Sequence, residues 1–113
     1  TIVIGKGVLM ATLQTDDQLR ERFSLLRDEW KAKSKYISNT AQMSILWPYQ
    51  QIIGMGLDAV PYILAELKRE SDHWFWALEA ITGENPVPPD SLGDVDASAQ
   101  AWIDWGRGKG LTQ

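Results

Sequence analysis

The stretch GMGLDAVPYILAELKRESDHWFWALEAITG, residues 54–83, decides how the chain is to be read. Pro61 stands where a helix tolerates it, because the first turn has no internal acceptor for the amide proton that proline lacks, and Asp58 is a candidate cap just upstream. Val60, Ile63, Leu64 and Leu67 then fall on one helical stripe. A second apolar segment runs from His73 to about Thr82, with only Ser71 and Asp72 between the two. So short a connection predicts two antiparallel helices packed as a hairpin. Gly83 stops the second helix, and Pro86, Pro88 and Pro89 prevent its resumption.

These thirty residues resemble one unit of the HEAT helical-repeat family. Gly56-Leu57-Asp58-Ala59-Val60-Pro61, followed by Ile63, Leu64 and Leu67, is similar to the proline-bearing opening and leucine stripe of such units. Asp72, then Ala77-Leu78-Glu79-Ala80-Ile81 and the closing Gly83, are similar to the second helix. The chain departs from the pattern in carrying Trp74, Phe75 and Trp76 where the family commonly has small side chains and a basic residue, and no second copy is evident. The resemblance implies antiparallel helix pairs and protein binding along an extended surface.

Upstream, Thr15 and Gln18 form a capping-box signature, and Leu19, Phe23, Leu26 and Trp30 recur at helical spacing, with Glu29 and Lys33 as an ion pair on the solvent side. This predicts a helix from Asp16 to about Lys33. Residues 38–42 read as a turn with Thr40 as a cap for the next helix. Pro48 lacks the amide that would bond back to Ser44, so Met43 to Ile53 is either a kinked helix or two short turns meeting near Trp47, with Gly54 and Gly56 as the stop. Downstream, Ala99, Trp102, Ile103 and Trp105 give a last amphipathic helix capped at Asp96 or Ser98.

The fold expected is all-α: a small bundle of about five helices containing the HEAT-like antiparallel hairpin. Its divisions are an N-terminal arm or short β-hairpin over residues 1–14, one helical domain over 15–106 and a flexible tail over 107–113. Met10, followed by small residues, leaves open that residues 1–9 are not native sequence. With 113 residues, 44% of them apolar and 23% charged, the chain suits one modest core. No apolar run is long enough to cross a bilayer, and Gly5, Lys6 and Gly7 interrupt the N-terminal apolar stretch where a signal peptide needs continuity. The absence of cysteine fits a reducing compartment. Membrane and secretion are therefore not expected, and cytoplasm is. A net charge of −4 disfavours nucleic acid as partner.

Catalytic chemistry finds little to build on. His73 is the only histidine, and Ser71, Asp72 and His73 are adjacent at a helix start, where their side chains diverge instead of lining up in series. No zinc spacing exists, and the 90–96 loop lacks a calcium-loop register. Glu66 and Glu70 lie one turn apart beside Lys68 and Arg69, which reads as a solvated face. Neither glycine–lysine cluster, at 5–7 or 106–110, has phosphate-loop spacing. No enzyme, metal or cofactor is expected.

Six tryptophans are the unusual feature. Trp74, Phe75 and Trp76 fan across about 200° of a helix, wider than a core stripe of roughly 100°, so one ring must face either a flanking element such as the 86–89 loop or a partner. The expected function is a non-catalytic protein–protein interaction module, an adaptor or a small acidic inhibitor or regulator. Its binding residues would be Trp74, Phe75, Trp76, His73 and Trp105, and a partner protein or self-association would cover the leftover apolar edges. The alternative is a nucleic-acid-associated accessory protein using aromatic stacking with Lys31, Lys33 and Lys35 as a basic stripe.

Overall fold

Thr15 begins the first helix in the way its sequence requires: its Oγ accepts from the Gln18 amide at 3.1 Å while Gln18 Oε1 accepts from the Thr15 amide at 3.0 Å. The computed structural model describes residues 15–111, so the expectations for the 1–14 arm lie outside the described residues. Six α-helices are present among them, with no strand, and the small all-α bundle is as expected. They are α1 (Asp16–Ser34), α2 (Thr40–Ser44), α3 (Trp47–Gly54), α4 (Val60–Arg69), α5 (Phe75–Thr82) and α6 (Val95–Gly108). None of the helices is long and apolar enough to cross a membrane.

Helix α1 buries Phe23, Leu26 and Trp30 and pairs Glu29 with Lys33 at 2.8 Å. The Met43 to Ile53 region resolves into two short helices. Asn39, not Thr40, caps α2, because Asn39 is still extended and its Oδ1 accepts from the amides of Ala41 at 2.9 Å and Gln42 at 3.2 Å, whereas Thr40 is already helical. Pro48 withholds the amide that would have continued the helix, and the Gln50 side chain takes its place, donating from Nε2 to the Ser44 carbonyl at 2.7 Å.

Beyond α3, Gly56 takes a left-handed φ of 70° and starts a 3₁₀ turn, Gly56–Ala59, that runs directly into α4. Asp58 therefore does not cap α4: it lies inside the turn, and Ala59 before the helix is already right-handed, leaving no extended residue from which a side chain could cap. Val60, Ile63, Leu64 and Leu67 are all buried, as their spacing predicts. Helix α5 begins at Phe75, not His73, because Asp72 holds a tight turn, accepting from the His73 amide at 2.8 Å on Oδ1 and from the Trp74 amide at 2.9 Å on its carbonyl. The connection between the two helices is therefore residues 70–74, longer than expected. They touch, but α4 packs chiefly on α6 and α5 chiefly on α3, while α1 lies along α3.

Asp94, not Asp96 or Ser98, caps α6, accepting from the Ala97 amide at 3.0 Å, and Ser98 is buried with its hydroxyl donating to the Ser91 carbonyl at 3.2 Å. The domain does not stop at 106. Gly106 is buried, α6 runs on to Gly108, and Leu111 packs against the core with its amide donating to the Gly106 carbonyl at 2.8 Å.

The centre of the core is aromatic. Trp30 and Trp74 rings lie 4.5 Å apart, Tyr49 stacks on Trp74 at 5.7 Å, and Phe23 closes the group at 6.0 Å from Trp74. Trp30 Nε1 donates to the Met43 carbonyl at 2.8 Å, whereas the indole N–H of Trp74 is buried with no partner among the described residues. Tyr49 is fully buried, its hydroxyl donating to the His73 carbonyl at 3.1 Å and accepting from the Ala77 amide at 2.9 Å.

Burial pushes the Tyr49 phenol up to about 12 from its ordinary value near 10. The unfolded chain then loses this proton before the folded one does, so the associated stability is present below pH 10 and is lost as pH rises from about 10 to about 12. Chemical denaturation across that window should show a decline of roughly 2 kcal/mol that is missing from Tyr49→Phe. Equal slopes for the two proteins would overturn the assignment.

Candidate functional site

His73, Phe75 and Trp76 come together on one surface, at the start of α5. The five-residue α2 forms the opposite wall, and the connection from α5 to α6 forms the end. Between them runs a groove with two lobes. The first, about 570 Å³, is lined by Thr40, Ser44, His73, Phe75, Trp76, Glu79 and Ala80. The second, about 290 Å³, shares Thr40, His73, Phe75 and Glu79 and continues over Val87, Leu92, Val95 and Trp102. His73, Phe75 and Glu79 thus stand at the junction.

The three successive rings at the start of α5, the capping Trp74 and then Phe75 and Trp76, divide between core, groove and rim. Trp74 points into the aromatic core and is 0% exposed; Phe75 is half-buried in the groove; Trp76 is 52% exposed at its rim. The 86–89 segment does supply cover through Val87, but it covers the lobe beside Phe75, leaving Trp76 open. Ile45, next in the chain after the groove residue Ser44, and Trp47 are also exposed.

Two expected binding residues lie elsewhere. Trp74 is a core ring and contributes to the groove only by fixing where His73 and Phe75 fall. Trp105 lines neither lobe: its ring meets Trp102 edge-on at 5.2 Å, its Nε1 donates to Glu84 at 3.3 Å, and Lys109 stands over its face at 6.0 Å.

Sequence reasoning missed Thr40, Ser44, Glu79 and Leu92 as groove residues. Glu79 and Ala80 sit one turn beyond Trp76, so the spacing of 76, 79 and 80 marks one face of α5 and was available as a signal. A second signal is charge. Residues 71–106 hold seven Asp or Glu and neither Lys nor Arg. Of these, Asp72 pairs with Lys31 at 3.0 Å and Asp104 with Arg107 at 3.3 Å, while Glu84 lies 4.0 Å from Lys109. Glu79 and Asp94, both on the groove, have no ion pair among the described residues.

Several other charged groups are committed to the fold. Glu66, expected on a solvated face, is instead only 5% exposed and is held by Arg27 at 2.7 Å and Arg69 at 2.8 Å. Lys31 is bound to Asp72, Lys33 to Glu29, and Lys35 rests over the Tyr36 ring at 5.5 Å, so each lysine of the 31–35 stripe has a partner within the molecule. Asp72 faces Lys31 and its own turn, which separates it from any relay with Ser71 and His73. No three His, Cys, Asp or Glu side chains converge as a metal site among the described residues. Comparison with family models, with curated proteins and with solved structures finds no match for this chain.

Proposed function

We propose that the chain is a non-catalytic protein–protein interaction module, an adaptor or a small acidic inhibitor or regulator, that receives part of its partner in the groove between α2, α5 and the 83–94 connection. The observation that carries this is the exposure of Trp76 at 52% on the rim of an apolar groove floored by Phe75. A folded domain of this size usually hides its tryptophans, and an open one at a concave, aromatic surface matches the residues that dominate protein interfaces. The HEAT-like pattern of residues 54–83 points to the same class of work. Phosphate binding is the weaker reading, because Lys31 and Lys33 are tied to carboxylates and no Lys or Arg lines the groove.

The test is site-directed photo-crosslinking in cells producing the whole chain. A crosslinking residue at Ala80, inside the groove, should trap a defined protein, and one at Glu21, outside it, should not. Trp76→Ala should weaken that partner's binding about thirtyfold, the size of a hot-spot loss. Equal capture from both positions, or capture of nucleic acid alone, would sink the proposal.

A further inference from the structure

We infer that the segment received by the groove is cationic as well as apolar: a short stretch of a partner protein in which Lys or Arg stands beside one or two large apolar side chains, the base meeting Glu79. This rests on the groove being a protein-binding site and adds the chemistry of what enters it. Glu79 borders both lobes, one helical turn from Trp76, and its carboxylate has neither a hydrogen bond nor an ion pair among the described residues. Asp94 borders the second lobe and spends one oxygen on the Ala97 amide, leaving the other without a hydrogen bond among the described residues. No Lys or Arg lines either lobe, and none occurs anywhere in residues 71–106, so nothing built from that part of the chain offsets these charges.

Carboxylates beside apolar walls act more strongly than the same groups on an open surface, because the walls exclude water and confine the field. An acidic or phosphorylated segment would meet repulsion on entry; a purely apolar one would leave Glu79 partly desolvated and unpaired against its own chain. A basic and apolar segment satisfies both features of the groove at once. Phe75 and Trp76 take its apolar side chains, and Glu79 selects the base.

The test selects random twelve-residue peptides on phage against the full chain, then measures synthetic versions by fluorescence anisotropy. Enriched peptides are expected to place Lys or Arg next to aromatic or large aliphatic residues and to bind less tightly as salt rises. Glu79 is exposed, so Glu79→Lys should retain helical circular dichroism while lowering the affinity of these peptides about tenfold, with Glu79→Gln nearer to threefold. Selection against Glu79→Lys should turn towards Asp and Glu. Uncharged or acidic peptides that bind Glu79→Lys unchanged but are weakened by Trp76→Ala would overturn the cationic inference and leave the groove standing. Peptides indifferent to both substitutions, or no enrichment, would overturn both. A sedimenting dimer of the chain alone that Glu79→Lys dissociates would assign the groove to a second copy and overturn the inference of a foreign segment.

Discussion

Trp30→Ala is expected to lower the unfolding free energy by about 3–5 kcal/mol, a large share of the roughly 5–15 kcal/mol that holds a typical domain together. Trp30 is 1% exposed, lies 4.5 Å from Trp74 and 5.3 Å from Tyr49, and ties α1 to α2 through its hydrogen bond to Met43. Truncation opens a cavity that neighbouring rings cannot fill without leaving their rotamers, and it strips the Met43 carbonyl of its donor. The comparison with Trp74 sharpens the expectation. Trp30→Phe and Trp74→Phe remove similar ring area, but the second also removes an indole N–H that is buried without an acceptor. Trp74→Phe should therefore be the milder by about 1 kcal/mol in urea denaturation. If Trp74→Phe proved the more damaging, the hydrogen-bond account of the core would fail.

Glu66→Ala is the second large expectation, a loss of about 3 kcal/mol. The substitution takes from Arg27, whose side chain is 22% exposed, the buried carboxylate 2.7 Å away and leaves it only the exposed Asp28 at 2.9 Å; Arg69, at 59%, is hydrated and suffers less. Removing the half-paired Arg27 as well should recover part of the loss, so the double substitution Arg27→Met with Glu66→Ala should be more stable than Glu66→Ala alone. A thermal-denaturation cycle reads this directly. Additive losses would mean that the two groups do not depend on each other.

That ion cluster also marks where sequence reading reached its limit. The stripe Val60, Ile63, Leu64 and Leu67 identifies the buried face of α4 from spacing alone, and Thr15 with Gln18 fixes the start of α1, because both are local patterns. Glu66 looks like any exposed glutamate until α1 brings Arg27 to it from 39 positions away. Helix starts were misplaced by one to four residues wherever several capable side chains stood together: Asn39 beside Thr40, and Asp94 beside Asp96 and Ser98. The choice between them is made by which backbone is still extended, and that is set by packing. The three-ring fan of residues 74–76 similarly announces that one ring must be left over. Only the position of α3, which claims Trp74 through Tyr49, decides that it is Trp76.

The side-chain latch from Gln50 to Ser44 bears on how the groove would bind. A helix of five residues has no stability of its own, yet α2 is held at both ends, by Asn39 at its start and by Gln50 across the proline break, with Trp30 anchoring its middle. The wall facing Trp76 is thus assembled when the domain folds. Under the proposed function, an incoming segment would meet a surface whose conformational entropy has already been surrendered, so pre-organisation would favour tight capture by few contacts, and Gln50→Ala would weaken association from a position outside the groove itself.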